Sequence, residues 1–193
     1  MLRFTLDTNC VIDVDEGRPN SVFVTALAQA HSDQRANVAV VAMMASEKQK
    51  TGGYLASFTD FMDRLTRLGL SHLDLALPLC YLDISYLDHC LLSDVNLTEL
   101  DNKIHRVLFS SIDPNYTQYC QSNGIDPNNA ISGQAHRWRN AKCDVQALWS
   151  HINRKADVFV TSDRNFLGVN MPRLIALGAG RVLTPEDAVG VLT

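Results

Sequence analysis

Four acidic residues, Asp7, Glu47, Asp144 and Asp163, each stand just after a segment that reads as a strand or at the head of one that reads as a helix. Each alone has an ordinary structural explanation: short carboxylates close Asx turns and cap helices, and a first-turn glutamate is usually solvated. Together they imply more. If the fold brings them to one place their charges repel, and they stay ionised at neutral pH only beside a cation. Hard oxygen ligands call for Mg²⁺ or Mn²⁺, because histidine and cysteine are missing at the spacing a zinc site needs. The five cysteines are odd in number and scattered, so Cys10 and Cys143 receive no catalytic role although both lie close to these acids.

The elements that must position the acids are clearest from Ala141 to Leu167. Val145, Leu148, Trp149, Ile152 and Ala156 recur at helical spacing, with Asp144 opening the helix, and Val158-Phe159-Val160 then reads as a buried strand. A strand running back along its helix brings Asp144 and Asp163 to the same carboxyl edge of a parallel sheet, where ligands bind in open α/β folds. Leu2, Phe4 and Leu6 alternate as a first strand ending at Asp7, and Asp7-Thr8-Asn9 turns the chain out of the sheet. Val22 to Ala30 is helical, and the apolar run Val38 to Ala45 reads as a second buried strand with Glu47 just beyond it.

Helical spacing returns over Tyr54 to Gly69 and over Asn96 to Ser110, with a strand between them near Leu73 to Leu82 whose register is open. Pro114 to Asn140 reads as a short helix and a long loop whose exposed aromatics either stack on bases or pack locally. Arg181-Val182-Leu183 reads as a last strand. Thr184 then caps a terminal helix with Pro185 in its first turn. The whole reads as one α/β domain over 1–193 built on parallel crossover units; no repeat or interdomain linker divides it.

Net charge is −4, which argues against non-specific coating of nucleic acid. The distribution is uneven, however. From His136 to Lys155 the cations Arg137, Arg139, Lys142, Arg154 and Lys155 face Asp144 alone, which is either a phosphate-binding surface beside the acids or a solvated helix face. No apolar run is long enough to cross a bilayer, and MLRFTLDTN lacks the pattern of a secretory signal, so a cytoplasmic chain without membrane association is expected.

Leu6-Asp7-Thr8-Asn9, Glu47 after the second strand, Asp144 at a helix, Val160-Thr161-Ser162-Asp163-Arg164-Asn165-Phe166 and the ending LGAGRVLTPEDAV together resemble a PIN domain. The resemblance implies a parallel β-sheet with helices on both faces, a three-layer α/β/α fold whose helical and loop region at about 70–140 is enlarged, and a Mg²⁺- or Mn²⁺-dependent ribonuclease, often the VapC-type toxin of a toxin-antitoxin pair. It makes Asp7, Glu47, Asp144 and Asp163 the metal-binding and catalytic acids, with Asn9 and Thr161 as polar supports. One or two cations there would bind a phosphodiester oxygen and activate water for in-line attack. Single-stranded or loop RNA is the implied substrate, and an antitoxin and a second copy of the chain are the implied partners; the apolar helix at Tyr54 to Leu68 also motivates the dimer. Where many members carry a further acid two residues after the last aspartate, this chain has Asn165, a further polar support that can coordinate weakly or position water but carries no charge, and it is longer than the compact toxins between Gly69 and Asn140.

Other classes fit less well. An aspartate-nucleophile phosphatase needs a second aspartate where Asn9 stands, and no serine-hydrolase elbow or dinucleotide-binding glycine turn is present. The rival with most weight is a non-catalytic PIN-like module that binds RNA or protein, since a fold does not by itself confer activity.

Overall fold

Phe4, Thr5 and Leu6 are all fully buried, so the first strand is covered on both faces, as central parallel strands are. The computed structural model describes residues 1–46, 57–81, 85–92, 95–128 and 135–192. Strand β1 (Arg3–Leu6) pairs in parallel with β2 (Asn37–Val41) on one side and β4 (Val158–Val160) on the other. With β3 (Asp74–Ala76) outside β2 and β5 (Arg181–Leu183) outside β4, the sheet is all parallel in the order β3-β2-β1-β4-β5. Leu6 is level with both Val40 and Val160, which sets the carboxyl ends of the three central strands side by side.

Because parallel crossovers are right-handed, reversing the strand order at β1/β4 sends successive helices to opposite faces. One face carries α1 (Thr8–Asp15), α2 (Ser21–Ser32) and the terminal helix α9 (Pro185–Gly190), with α2 touching both α1 and α9. The other carries α4 (Val95–Leu108) and α6 (Ala135–Asn153), which pack on each other, with α8 (Met171–Leu174) against α4. The expected three-layer arrangement of helices on both faces of a parallel sheet is therefore present.

Several local expectations change. The apolar run Val38 to Ala45 is a shorter strand followed by a 3-10 turn at Ala42–Ser46; the strand from Val38 and the turn's Ala42, Met43 and Met44 are all buried, and apolarity alone does not separate them. Asp7 is followed at once by α1, with no loop until Gly17. Helix α3 (Phe58–Arg67) begins with a reciprocal Ser57–Asp60 cap, and Phe61 and Leu65 of its apolar stripe are buried in the chain's own core. Tyr54 to Ala56 of the expected helix lie outside the described residues, and the described part of the stripe, which also motivates a dimer, packs internally. Asp144 does not open its helix: α6 begins nine residues earlier at Ala135, within the stretch expected to be a long loop, whereas α5 (Tyr116–Asn123) is the short helix expected before it.

Candidate active site

Asp7 is the residue at which β1 becomes α1, and its side chain does two jobs. Its Oδ1 accepts the Thr8 backbone N–H at 2.8 Å, which caps the helix. Its Oδ2 accepts the Thr161 hydroxyl at 2.7 Å and, more weakly, the Asn9 amide at 3.4 Å. Thr161 Oγ1 in turn accepts the backbone N–H of Asp163 at 3.0 Å, so one buried hydroxyl ties the end of β1 to the turn after β4. Asp163 caps α7 (Arg164–Leu167) by accepting the Asn165 backbone N–H at 2.8 Å. Asn165 directs its side-chain oxygen to the Asn170 amide at 2.9 Å.

Asp7 and Asp163 thus sit on either side of the point where strand order reverses, the crevice in which open α/β sheets bind ligands. Their electrostatics are uncompensated. Burial pushes the Asp7 carboxyl up from 3.8 to about 6, and the charge of Asp163 adds to the rise against the lowering hydrogen bonds of Thr161, Thr8 and Asn9. Among the described residues no lysine or arginine pairs with either carboxylate.

Asp144 lies in the middle of α6. From Ala141 to His151 every other residue is buried, and Asp144 alone is partly open to solvent. Two residues on, Gln146 accepts the Leu79 backbone N–H at 2.8 Å just past β3, so this part of α6 lies beside the carboxyl end of that strand. Glu47 lies outside the described residues. Among those described, no group of three or more His, Cys, Asp or Glu is arranged to hold a metal ion. Asp7 and Asp163 have the donor chemistry a hard cation requires, and two carboxylates are fewer ligands than such a cation takes.

A residue absent from the sequence expectations supports this edge. Asp13, almost wholly buried, accepts the Ser162 hydroxyl at 3.1 Å, the Asn20 amide at 3.2 Å and Arg18 at 3.3 Å. It holds the turn between Thr161 and Asp163 against α1. Its signal is in the spacing: Asp7, Cys10 and Asp13 fall three residues apart, on one side of the helix that follows Asp7.

The expected cationic surface divides. Lys142 is fully buried and bonds Asp101 at 2.7 Å, so it is an internal ion-pair partner and not a phosphate ligand. Arg154 reaches the opposite end of the sheet, donating to the Phe4 carbonyl at 2.9 Å and to Asn37 at 2.8 Å, and Lys155 follows it there. Arg154 therefore acts at the amino edge and not at the site. Arg137 is exposed and Arg139 half-buried on the first turns of α6, on the carboxyl side of the sheet. No protein-family model and no curated protein sequence matches this chain.

Proposed function

We propose that this chain is a metal-dependent ribonuclease of the PIN type that hydrolyses phosphodiester bonds in single-stranded or loop RNA. The observation that supports it most is a buried aspartate and a helix-capping aspartate facing each other at the switch point with no protein cation between them. A divalent cation held by Asp7 and Asp163, with Asp144 and Glu47 as the further acids, would supply positive charge to the phosphate and acidify water there. The chain's own residues do the positioning. Thr161 fixes the Asp7 carboxylate, Asp13 fixes the Ser162 turn, and the Oδ2 of Asp163 accepts no hydrogen bond among the described residues.

Purified protein incubated with mixed RNAs in Mg²⁺, Mn²⁺ or chelator tests this directly. Cleavage is expected with either metal and not in chelator, and Asp7→Asn and Asp163→Asn should each abolish it while RNA binding survives. RNA bound but never cut by the wild type favours the second reading, a non-catalytic binding module, for which the lack of a three-acid cluster among the described residues is the supporting observation. No helix among the described residues is long and apolar enough to cross a membrane. A cytoplasmic location, a protein antitoxin and a homodimer belong to the toxin form of the proposal. Co-purification with, and inhibition by, the product of an adjacent gene tests the antitoxin; light scattering across a wide concentration range tests the dimer.

A further inference from the structure

Just past β3 the chain makes one isolated parallel bridge, between Leu79 and Leu91. Cys80 donates its backbone N–H to the Leu91 carbonyl at 2.8 Å, and Leu91 donates its own to the Pro78 carbonyl at 2.8 Å. Leu79 is buried, and Leu91 packs against the same core. In extended chain the side chains flanking such a pair point to the opposite face, so Cys80 and Cys90 both turn away from the core on one side of the bridge. There a side-chain hydrogen bond joins the two thiols.

The other three cysteines are placed differently. Cys10, Cys120 and Cys143 are buried, whereas Cys80 and Cys90 are both partly exposed, and none of the five is in a disulfide. Cys80 also lines a cavity of about 660 Å³ whose walls include Arg106 of α4 and Arg139 of α6, which gives a small reagent a path to its sulfur. Burial first, then the hydrogen bond and charge of Cys80, raise the Cys90 thiol from 9.0 to about 11. Cys90 therefore keeps its proton at neutral pH, and Cys80 is left as the sulfur that attacks first. The bridge is a single one and belongs to no strand, which lets the two backbones follow the sulfurs to bonding distance.

We infer that Cys80 and Cys90 are a reversible thiol–disulfide modification site, oxidised by a low-molecular-weight disulfide of the glutathione class. The Cys80 thiolate attacks one sulfur of glutathione disulfide, the S–S bond of that molecule breaks, and one glutathione thiolate leaves. Cys90 then gives its proton to solvent and attacks the Cys80 sulfur, expelling the second glutathione thiolate. Two protein thiols are oxidised, one glutathione disulfide is reduced to two glutathione thiols, and the two protons lost by the protein end on them. The new bond ties the exit of β3 to the segment ahead of α4. None of the acids at the candidate active site takes part, so the inference stands apart from the ribonuclease reading.

Mass spectrometry of the intact chain tests it. The protein is incubated with oxidised glutathione in chelator at about pH 8, where thiol exchange is fast, then trapped with N-ethylmaleimide in denaturant and digested. Cys80 should be joined to Cys90 within one chain, with the loss of two hydrogens, while Cys10, Cys120 and Cys143 carry the maleimide; dithiothreitol should restore all five thiols. Cys90→Ser should hold glutathione on Cys80 as a mixed disulfide, because the second attack is missing, and Cys80→Ser should leave Cys90 unmodified. The same incubation in urea should lose the selectivity. Five maleimide-labelled cysteines in the wild type, glutathione remaining on Cys80 of the wild type without closure, a linkage found only between two chains, or equal pairing in urea overturns the site.

Discussion

Asp7 connects folding and proposed chemistry through a single carboxyl group. With its folded value near 6 and the usual value 3.8, the native state binds the extra proton between those limits, so its contribution to stability falls as pH rises through that window. The full effect is about 3 kcal/mol. His151 acts in the opposite direction: burial depresses its imidazole from 6.5 to about 4, the unfolded chain takes up that proton first, and stability is lost as pH falls from about 6.5. The two contributions oppose each other between about pH 4 and 6. In chelator, Asp7→Asn should therefore melt higher than wild type at pH 7 and become more steeply acid-sensitive below pH 6. Thermal melts across pH 4 to 7 read both, and an Asp7→Asn profile parallel to wild type contradicts the shift. Millimolar Mn²⁺ should raise the melting temperature of wild type and not of Asp7→Asn, since only the former offers the anionic ligand.

Helix α6 is tied to α4 by one buried polar network. Asp101 of α4 accepts from Lys142 and Gln146 of α6 and from Tyr81, and Gln146 in turn receives the Leu79 N–H. Every member is satisfied, which is the condition under which such a network orients its helices. Lys142→Ala leaves the Asp101 charge buried without its cation and should cost about 3–5 kcal/mol in urea unfolding. A surface cation at that position would cost almost nothing on removal, so the same measurement separates the two placements of Lys142. Helix α7 offers a cleaner dissection of the site. Asp163→Ala removes a side-chain cap and should cost about 1 kcal/mol, whereas Asp163→Asn keeps the cap and should be nearly neutral. Loss of RNA cleavage in the stable Asp163→Asn variant then reports the missing charge and not a frayed helix.

Across the whole molecule, the sheet separates cations by end. Arg154 serves the amino edge, with Lys155 next along the chain, and Arg137, Arg139 and Arg106 stand on the carboxyl side, among and above α4 and α6. On the proposed function, an acidic chain of net charge −4 would hold RNA by a small local patch. Arg137→Ala combined with Arg139→Ala should weaken RNA binding and flatten its salt dependence by about 0.7 in log–log slope for each single-strand phosphate no longer neutralised. Lys155→Ala should leave both unchanged. Fluorescence anisotropy at several salt concentrations checks this, and an effect of Lys155→Ala equal to that of the arginine pair would place the strand at the wrong end of the sheet.

The elements legible in the sequence are those whose signals are local. Thr184 caps α9 by accepting the Asp187 N–H at 3.2 Å, and Pro185 stands in its first turn, because capping involves groups only three residues apart. Asp7 and Asp163 are legible for the same reason: each follows a short buried strand, and parallel strands end on one edge. What depends on distant partners is not. Lys142 and Asp101 are 41 residues apart, and a lysine without a known partner reads as solvated. Asp144 reads as a helix opener because the polar run before it hides the periodicity, and only packing against α4 makes Ala135 to Cys143 helical. Arg154 reads as a site cation until the return of α6 along β4 carries it to the amino edge. Local chemistry along the chain therefore decided which residues carry charge at a strand end. Tertiary packing decided which of those charges face a crevice and which are consumed inside, because a charge is kept in a protein interior only by partners that the fold alone brings within hydrogen-bond reach.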